Sequence, residues 1–381
     1  MKAAIAVHVC SFGSSRAIIP NNREENIVLM TSTAFRDHEE VAFFREPDCG
    51  LSAIIAVHST ALGPACGGVR FHPYGDEQEA IDDVLRLSAA MSLKNALAGL
   101  PFGGGKSVII GDPRRDKTPA LLAAFGRAVE RLAGRYIAAE DVGMSPADIA
   151  IVGRQTRHVA GLDRGPAASG DPSPVTARGV LRGIEVAVRH RLGRSGLAGA
   201  TVGVLGLGHV GSALAGLLHE AGARLVVADI AADRCRAIAD RYGARVVPVD
   251  ALVGERLDVF APCALGGILN AETIGRLAAP VVAGAANNQL ADEASADALH
   301  MRGILYAPDF AINAGGIVNV AAEIAGNYDR APVLRRVDRI ADTLDEIFIR
   351  AAREGRSPHF VAVDLAQERL DAARRARQQT A

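Results

Sequence analysis

The stretch from Thr201 to Gly211, TVGVLGLGHVG, restricts the architecture more than any other part of this chain. A short β-rich run, Thr201–Leu205, leads into Gly206-Leu-Gly208-His209-Val210-Gly211, a G-x-G-x-x-G. A helical pattern follows at Ser212–Ala221. A second β-rich run, Arg224–Ala228, then ends on Asp229, eighteen residues beyond Gly211. The spacing alone is a weak signal; set in strand, turn, helix and strand it reads as a dinucleotide-binding turn. Gly206 allows the tight turn. Gly208 lets backbone approach a pyrophosphate seated on the helix N-terminus, and Gly211 permits close packing of helix on strand. Asp229 is placed to accept hydrogen bonds from a ribose 2′-hydroxyl, and its charge opposes a 2′-phosphate. The expected cofactor is therefore NAD rather than NADP. The bland alternative is a structural turn that binds nothing.

Further β-rich runs at Arg245–Val249, Asp258–Ala261, Val281–Ala283 and Gly303–Tyr306 point to a parallel sheet with helices on both faces. Earlier in the chain, Val41–Arg45, Ala53–His58, Ser107–Gly111 and Tyr136–Ala139 read as strands. Ile81–Ala98, Leu121–Leu132 and Pro146–Gln155 read as helices, the last opened by Ser145 as N-cap. Gly161–Pro174, rich in Gly, Pro, Ser and Asp, reads as a linker or hinge, and Thr176–His190 as the helix after it. Val333–Arg353 carries an apolar stripe at helical spacing and is expected to pack on the first domain. The fold class expected is α/β in two domains. Residues 1–29 are expected to be a disordered arm or an over-long start, 30–172 a substrate and oligomerisation domain, and 173–330 a Rossmann NAD-binding domain. Residues 331–381 are expected to be C-terminal helices returning to the first domain.

Composition removes several function classes. Lys and Arg total 42 against 43 for Asp and Glu, a net charge of -1, where nucleic-acid or membrane-surface binding needs a basic field. Aromatic residues are 4% with no Trp, so base-stacking platforms are not expected. The five cysteines are scattered without a C-x-x-C, which fits reduced thiols in a cytoplasmic protein and gives no structural zinc pattern. No run has the length of a membrane span. The first ten residues, interrupted by His8 and lacking an A-x-A-like site, are not read as a signal peptide.

Phe102-Gly103-Gly104-Gly105-Lys106-Ser107 imitates a phosphate-binding loop but fails: Leu100 stands where the first glycine is needed, and a helix precedes while a strand follows. Three glycines before a lysine imply a close approach to backbone or a positive φ, the plain alternative being a tight turn. Lys94 sits among Met91, Leu93 and Leu97 at the end of a helix, and Glu140–Asp141 ends a strand, where sites collect in α/β folds. Each lysine alone also reads as a surface charge. Together with an acid beside a nicotinamide they suggest amino-acid or keto-acid chemistry. One ammonium pairs a substrate carboxylate and the other, buried near a like charge, moves a proton near neutral pH.

Several longer motifs carry a family resemblance: Ala61-Leu-Gly-Pro-Ala-Cys-Gly-Gly68, Met91-Ser-Leu-Lys94, Gly103-Gly-Gly-Lys106, Glu140-Asp-Val-Gly143, Pro172-Ser-Pro-Val-Thr176, Ala261-Pro-Cys-Ala-Leu-Gly-Gly267, Gly284-Ala-Ala-Asn-Asn-Gln289 and Ala307-Pro-Asp-Phe-Ala-Ile-Asn-Ala-Gly-Gly316. In this order, from about His38 to Arg369, they resemble the leucine/valine/phenylalanine dehydrogenases of the glutamate dehydrogenase superfamily, most like the valine dehydrogenase branch. The resemblance implies a homo-oligomer and an active site in a cleft closed by hinge motion, with no metal. It implies Lys94 and the Gly67–Gly68 backbone on the substrate carboxylate beside Met91, Lys106 as acid/base, and Asp141 holding the amino group and relaying a proton. It places Thr176, Gly206, Gly208, His209, Val210, Gly211, Asp229, Ala261, Cys263, Ala264 and Asn287 on the NAD cofactor, and Asn313 beside the reacting centre. The implied reaction is oxidative deamination of an L-amino acid to its 2-oxo acid and ammonia.

By the same resemblance the side-chain pocket maps to Cys66, Ala139, Ile317 and Val320. None can pair a second carboxylate, and burying one unpaired is costly, so glutamate is disfavoured and valine, leucine or isoleucine favoured. Cys66 stands where branched-chain members have leucine, which opens the pocket toward phenylalanine; a non-catalytic NAD-binding homologue is the other alternative. Further departures are Met144 in place of threonine, Leu93 in place of an aromatic residue, and His209 within the glycine fingerprint. Met144 bears either on substrate choice or simply on packing.

Overall fold

The computed structural model describes residues 6–11, 32–162, 170–264, 266–326 and 328–380. The chain divides into two units. One is Met1–Gly170 with Glu323–Asn327 and Arg369–Ala381; the other is Asp171–Ala322 with Tyr328–Glu368.

The first unit is built on a mixed sheet of β1 (Ala6–Ser11), β2 (Glu40–Glu46), β3 (Leu51–Ser59), β4 (Ala65–His72), β5 (Gly103–Ile110) and β6 (Tyr136–Glu140) in the order β1-β2-β3-β5-β4-β6. β3 runs antiparallel to β2 and β5; β5, β4 and β6 are mutually parallel where they pair. Of the segment 1–29, Ala6–Ser11 departs from the expected disordered arm by pairing with β2, and the rest lies outside the described residues. The hinge expected at Gly161–Pro174 is likewise described only at its ends. Helix α1 (Glu77–Leu97), capped by Asp76, and helix α2 (Pro119–Arg131), capped by Thr118, begin where the sequence offers an oxygen to a free N–H. Short α3 (Pro146–Val152) has a full capping box between Ser145 and Asp148. Phe71, Ile55, Phe125, Ile149 and Tyr136 fill the core on the α2 side; Ile54, Val84, Leu85 and Val108 fill it on the α1 side.

One local expectation is corrected, and one strand was missed. Gly103–Gly105 is part of β5 rather than a loop, and none of the three glycines has a positive φ. β4 was not legible as a strand, because Gly67 and Gly68 depress β propensity at its centre.

The second unit is a parallel sheet of β7 (Thr201–Leu205), β8 (Arg224–Ala228), β9 (Arg245–Val246), β10 (Val259–Pro262), β11 (Val281–Val282) and β12 (Leu305–Tyr306), ordered β12-β11-β10-β7-β8-β9. This is the doubly wound order with its switch point between β7 and β10. Helices α4 (Ser173–Leu192), α5 (His209–Glu220) and α6 (Ala232–Tyr242) belong to it, as does the start of α7 (Gly315–Ile324).

Of the C-terminal segment 331–381, residues 331–368 group with the second unit and the remainder with the first. The apolar stripe breaks at Arg339 into α8 (Arg330–Asp338) and α9 (Ile340–Glu354), both grouped with the second unit. The reason lies on α4. A Cβ on Gly179 would stand 2.7 Å from Ile340 Cδ1, and one on Gly183 2.8 Å from Leu344 Cδ1, so two glycines one turn apart make a flat face for that stripe. Arg178 and Arg182 close the contact on Asp338. The end of α10 (Pro358–Thr380), from Arg369 on, groups with the first unit, where the Arg369 guanidinium donates to the Ala96 and Leu97 carbonyls.

Candidate active site

In the first unit the glycines of β4 and β5 make room for buried charge. A Cβ on Gly103 would fall 1.8 Å from the Ser59 carbonyl oxygen, on Gly104 2.1 Å from the Ser92 nitrogen, and on Gly67 1.8 Å from the Gly105 carbonyl oxygen. Only glycine permits backbones and α1 to approach this closely. Lys106 follows these glycines and is buried, with 8% of its side chain exposed. Its Nζ donates to Asp141 Oδ2 at 2.5 Å. Asp141 lies just past the end of β6, in a turn closed by Met144 N donating to the Asp141 carbonyl, with Gly143 at φ +80°. Burial opposes ionisation of Asp141, but the charge and hydrogen bond of Lys106, then Arg70 and the Val142 N–H, more than offset it, so its pKa is lowered.

Gly68 is adjacent to both groups, and Ala139 pairs with it across the β4–β6 ladder. Met91 Cγ would stand 3.4 Å from a Cβ on Gly67. Lys94, one turn further along α1, is half-buried on the same helix face. Cys66 is fully buried, and burial pushes its thiol up to about 12, which keeps it neutral. Met144 packs against the hydrophobic core, which favours its packing role.

Sequence reasoning missed two residues here. Tyr136, fully buried, contacts the Gly67 carbonyl at 2.9 Å and Ser107 Oγ at 3.0 Å through its hydroxyl. Arg70 Nε stands 3.4 Å from Asp141 Oδ2. The available signal for Arg70 was its place two residues after Gly68, on the same face of β4.

In the second unit, the glycine turn lies at the switch point. Gly206 has φ +93°, and a Cβ there would stand 2.7 Å from Ala264 Cβ. A Cβ on Gly211 would collide with the Gly206 carbonyl oxygen at 2.0 Å and stand 3.3 Å from Cys263 Cβ. The ends of β7 and β10 are thus brought together, with Ala261 buried in β10. Gly208, by contrast, faces open space and opens α5 as an N-cap with no side-chain hydrogen bond. Asp229 Oδ2 accepts from Leu207 N at 2.5 Å and Oδ1 from Ala231 N at 2.8 Å. Each carboxylate oxygen retains a lone pair for a ribose hydroxyl. An open helix N-terminus beside a carboxylate fits a dinucleotide. Val210 is half-buried; His209 is exposed, with Nδ1 3.8 Å from Asp171 Oδ2.

Asn313 donates from Nδ2 to Asn287 Oδ1 at 2.7 Å and to the Ala285 carbonyl at 3.1 Å, while its own Oδ1 is buried without a hydrogen-bond partner. Thr176 Oγ1 would stand 3.0 Å from a Cβ on Gly316, at the start of α7, whose Ile317 and Val320 are half-buried. The four expected pocket residues therefore fall in separate units, Cys66 and Ala139 in the first, Ile317 and Val320 in the second. Among the described residues no His, Cys, Asp and Glu cluster has the makings of a metal site, and no helix is long and apolar enough to cross a membrane.

Residues 38–158 match the family model of the Glu/Leu/Phe/Val dehydrogenase dimerisation domain, and residues 227–377 that of glutamate/leucine/phenylalanine/valine dehydrogenase. The chain belongs to this dehydrogenase family. Among its relatives is a leucine dehydrogenase of Geobacillus stearothermophilus, 46% identical over 90% of this chain and 93% of the relative. A valine dehydrogenase of Streptomyces albus is also 46% identical, over 88% and 93%. The crystal structure of L-tryptophan dehydrogenase from Nostoc punctiforme superposes with a TM-score of 0.78 at 42% identity, covering 88% of this chain and 97% of that one. The two-unit architecture is the one this dehydrogenase family shares.

Proposed function

We propose that the protein catalyses reversible, NAD-dependent oxidative deamination of a branched-chain aliphatic L-amino acid (valine, leucine or isoleucine) to its 2-oxo acid and ammonia. The observation that carries this reading is the buried Lys106 ammonium held on Asp141 beside the Gly67–Gly68 backbone. Lys94, with that backbone, takes the α-carboxylate in a charge-assisted pair. Asp141 holds the α-amino group and passes a proton. Lys106, once it has given up its proton through Asp141, takes a proton from the water that adds to the imine carbon and, in reverse, as the ammonium, polarises the keto oxygen. NAD, when bound, supplies the acceptor for the hydride leaving Cα. Thr176, Gly206, Gly208, His209, Val210, Gly211, Asp229, Ala261, Cys263, Ala264 and Asn287 would hold it, and Asn313 orients Asn287. Water then turns the imine into oxo acid and ammonia.

Preference for NAD over NADP is supported by the Asp229 carboxylate at the end of β8. Aliphatic specificity is supported by the neutral walls at Cys66 and Ala139 and by the relatives named leucine and valine dehydrogenase. A homo-oligomer is supported by the dimerisation-domain match. The test is turnover of L-valine, L-leucine, L-isoleucine, L-phenylalanine, L-tryptophan and L-glutamate with NAD and with NADP, read as reduced cofactor. Turnover of the aliphatic substrates with NAD is expected. Turnover confined to aromatic substrates would overturn the side-chain assignment, and cofactor binding without turnover would overturn the enzyme reading.

A further inference from the structure

We propose that Arg70 is the second cation of the Lys106–Asp141 pair, a positioning residue that keeps Asp141 ionised and aimed at Lys106 while Lys106 is without its proton. This rests on the deamination reading above. Arg70 lies on β4 two residues past Gly68, and its Nε stands 3.4 Å from Asp141 Oδ2, the oxygen that also takes Lys106. That Nε is buried and makes no hydrogen bond, so a donor is held ready beside the carboxylate. The far end of the guanidinium is clamped. Nη1 donates to Asp83 Oδ2 at 2.8 Å, Tyr74 OH donates to the same oxygen at 2.8 Å, and Arg86 Nη2 donates to Asp83 Oδ1 at 2.8 Å. Asp83 has only 9% of its side chain exposed, so the clamp is not a solvated surface pair.

The need for a second cation follows from the proposed chemistry. When Lys106 gives its proton to the substrate it becomes neutral. A buried carboxylate left with no cation would take up a proton itself and lose its hold on the amino group. Arginine does not deprotonate in proteins, so its charge stays constant through the cycle. The charged and titratable groups facing Asp141 are Lys106 from β5, Arg70 from β4 and the Tyr136 phenol from β6, with Tyr74 and Asp83 behind Arg70. Burial raises both phenols, so they stay neutral. Arg70 itself is raised: burial works against its charge, but Asp141 and Asp83 outweigh burial.

The experiment compares wild type, Arg70→Gln and Arg70→Lys by pH profiles of kcat and KM, with thermal unfolding alongside. Arg70→Gln is expected to lower kcat roughly tenfold or more, to change KM for the amino acid less than kcat, and to move the acid limb to higher pH. Arg70→Lys is expected to restore much of both. An unchanged profile with wild-type kcat, or a loss in kcat and KM alike that lysine does not restore, overturns the proposal. Should Arg70→Gln fail to fold, Asp83→Asn frees the guanidinium and is expected to lower kcat; unchanged kcat and profile there would count equally against it. Carbon-detected titration of the Asp141 carboxyl separates this inference from the reaction. If no amino acid is turned over but that titration moves up in Arg70→Gln, the deamination reading fails and the positioning stands. If the titration does not move, the positioning fails.

Discussion

The backbone at Gly68 lies so close to Asp141 that an added Cβ would stand 2.7 Å from the Asp141 Cβ and 3.0 Å from Lys106 Nζ. The ion pair is thus shaped by a missing methyl group. Gly68→Ala is expected to push the two apart. Displacements near 1 Å at a reacting centre cost about 10²-fold, so kcat/KM is expected to fall by that order. Forcing a methyl into a filled space costs about 1–3 kcal/mol, so the melting temperature should drop modestly. Near-normal kcat/KM in a folded Gly68→Ala protein would show that the close approach is unrelated to turnover.

Lys106→Ala tests the acid/base role directly. It is expected to abolish deamination while reduced cofactor still binds, as read by fluorescence titration, since Lys106 belongs to the first unit and the glycine turn to the second. Residual turnover near the wild-type rate would remove Lys106 from its assigned role.

How much of this was legible in the sequence depends on where each residue gets its constraint. The turn at Gly206–Gly211 was readable because its glycines are needed locally, by φ at Gly206 and by the collision at Gly211. Gly103–Gly105 announced a close approach correctly but hid their strand, since the atoms they make way for, on β3, α1 and β6, are distant in sequence. The same holds for β4: its centre of two glycines reads as a turn until Tyr136 and Gly105 are seen against it. The C-terminal stripe was legible as helical, though not its break at Arg339. Its partner was not, because the glycines that accept it on α4 look like poor helix residues until Ile340 and Leu344 are placed on them.

Tyr136 carries a prediction of its own. Its hydroxyl is fully buried and serves the Gly67 carbonyl, the Gly68 carbonyl at 3.3 Å and Ser107 Oγ. Tyr136→Phe leaves these groups without their shared partner. Stranding a buried polar group costs about 1–3 kcal/mol, so the urea midpoint should fall without a change in the slope of the transition. Because Gly67 and Gly68 are the backbone assigned to the carboxylate, KM for the amino acid is also expected to rise. A stability equal to wild type would mean the hydroxyl's contacts are readily replaced.

Asp229 ties the glycine turn through Leu207 N, and the proposed function gives the same carboxylate to the cofactor ribose. Asp229→Asn keeps one acceptor oxygen and loses the charge. The KM for NAD is expected to rise by about tenfold, the order of one charge-assisted hydrogen bond, while the kcat/KM ratio of NADP to NAD also rises because the repulsion of a 2′-phosphate is gone. Steady-state kinetics with both cofactors decide it, and an unchanged ratio would place discrimination elsewhere in the unit.

His58 is expected to make the first unit acid-sensitive. Its ring is buried between β3 and α1, with Nδ1 2.8 Å from Ser92 Oγ and the His38 ring 4.9 Å away, edge-on. Burial, then the charges of His38 and Arg374, push its pKa from 6.5 down to about 3. Above pH 6.5 the ring is neutral in both folded and unfolded chains and its titration leaves stability unchanged. Between 6.5 and 3 the unfolded chain binds a proton that the folded one refuses, so stability falls as pH falls, at up to about 1.4 kcal/mol per pH unit. Below 3 both forms are protonated and the loss levels off. His38, whose pKa is also lowered by burial, adds in the same direction. Urea unfolding at pH 7 and pH 5 should show a lower midpoint at pH 5. His58→Asn, which keeps a polar partner for Ser92, is expected to be less stable at pH 7 but to lose less between the two. An equal loss in both proteins would mean that His58 does not resist protonation in the fold.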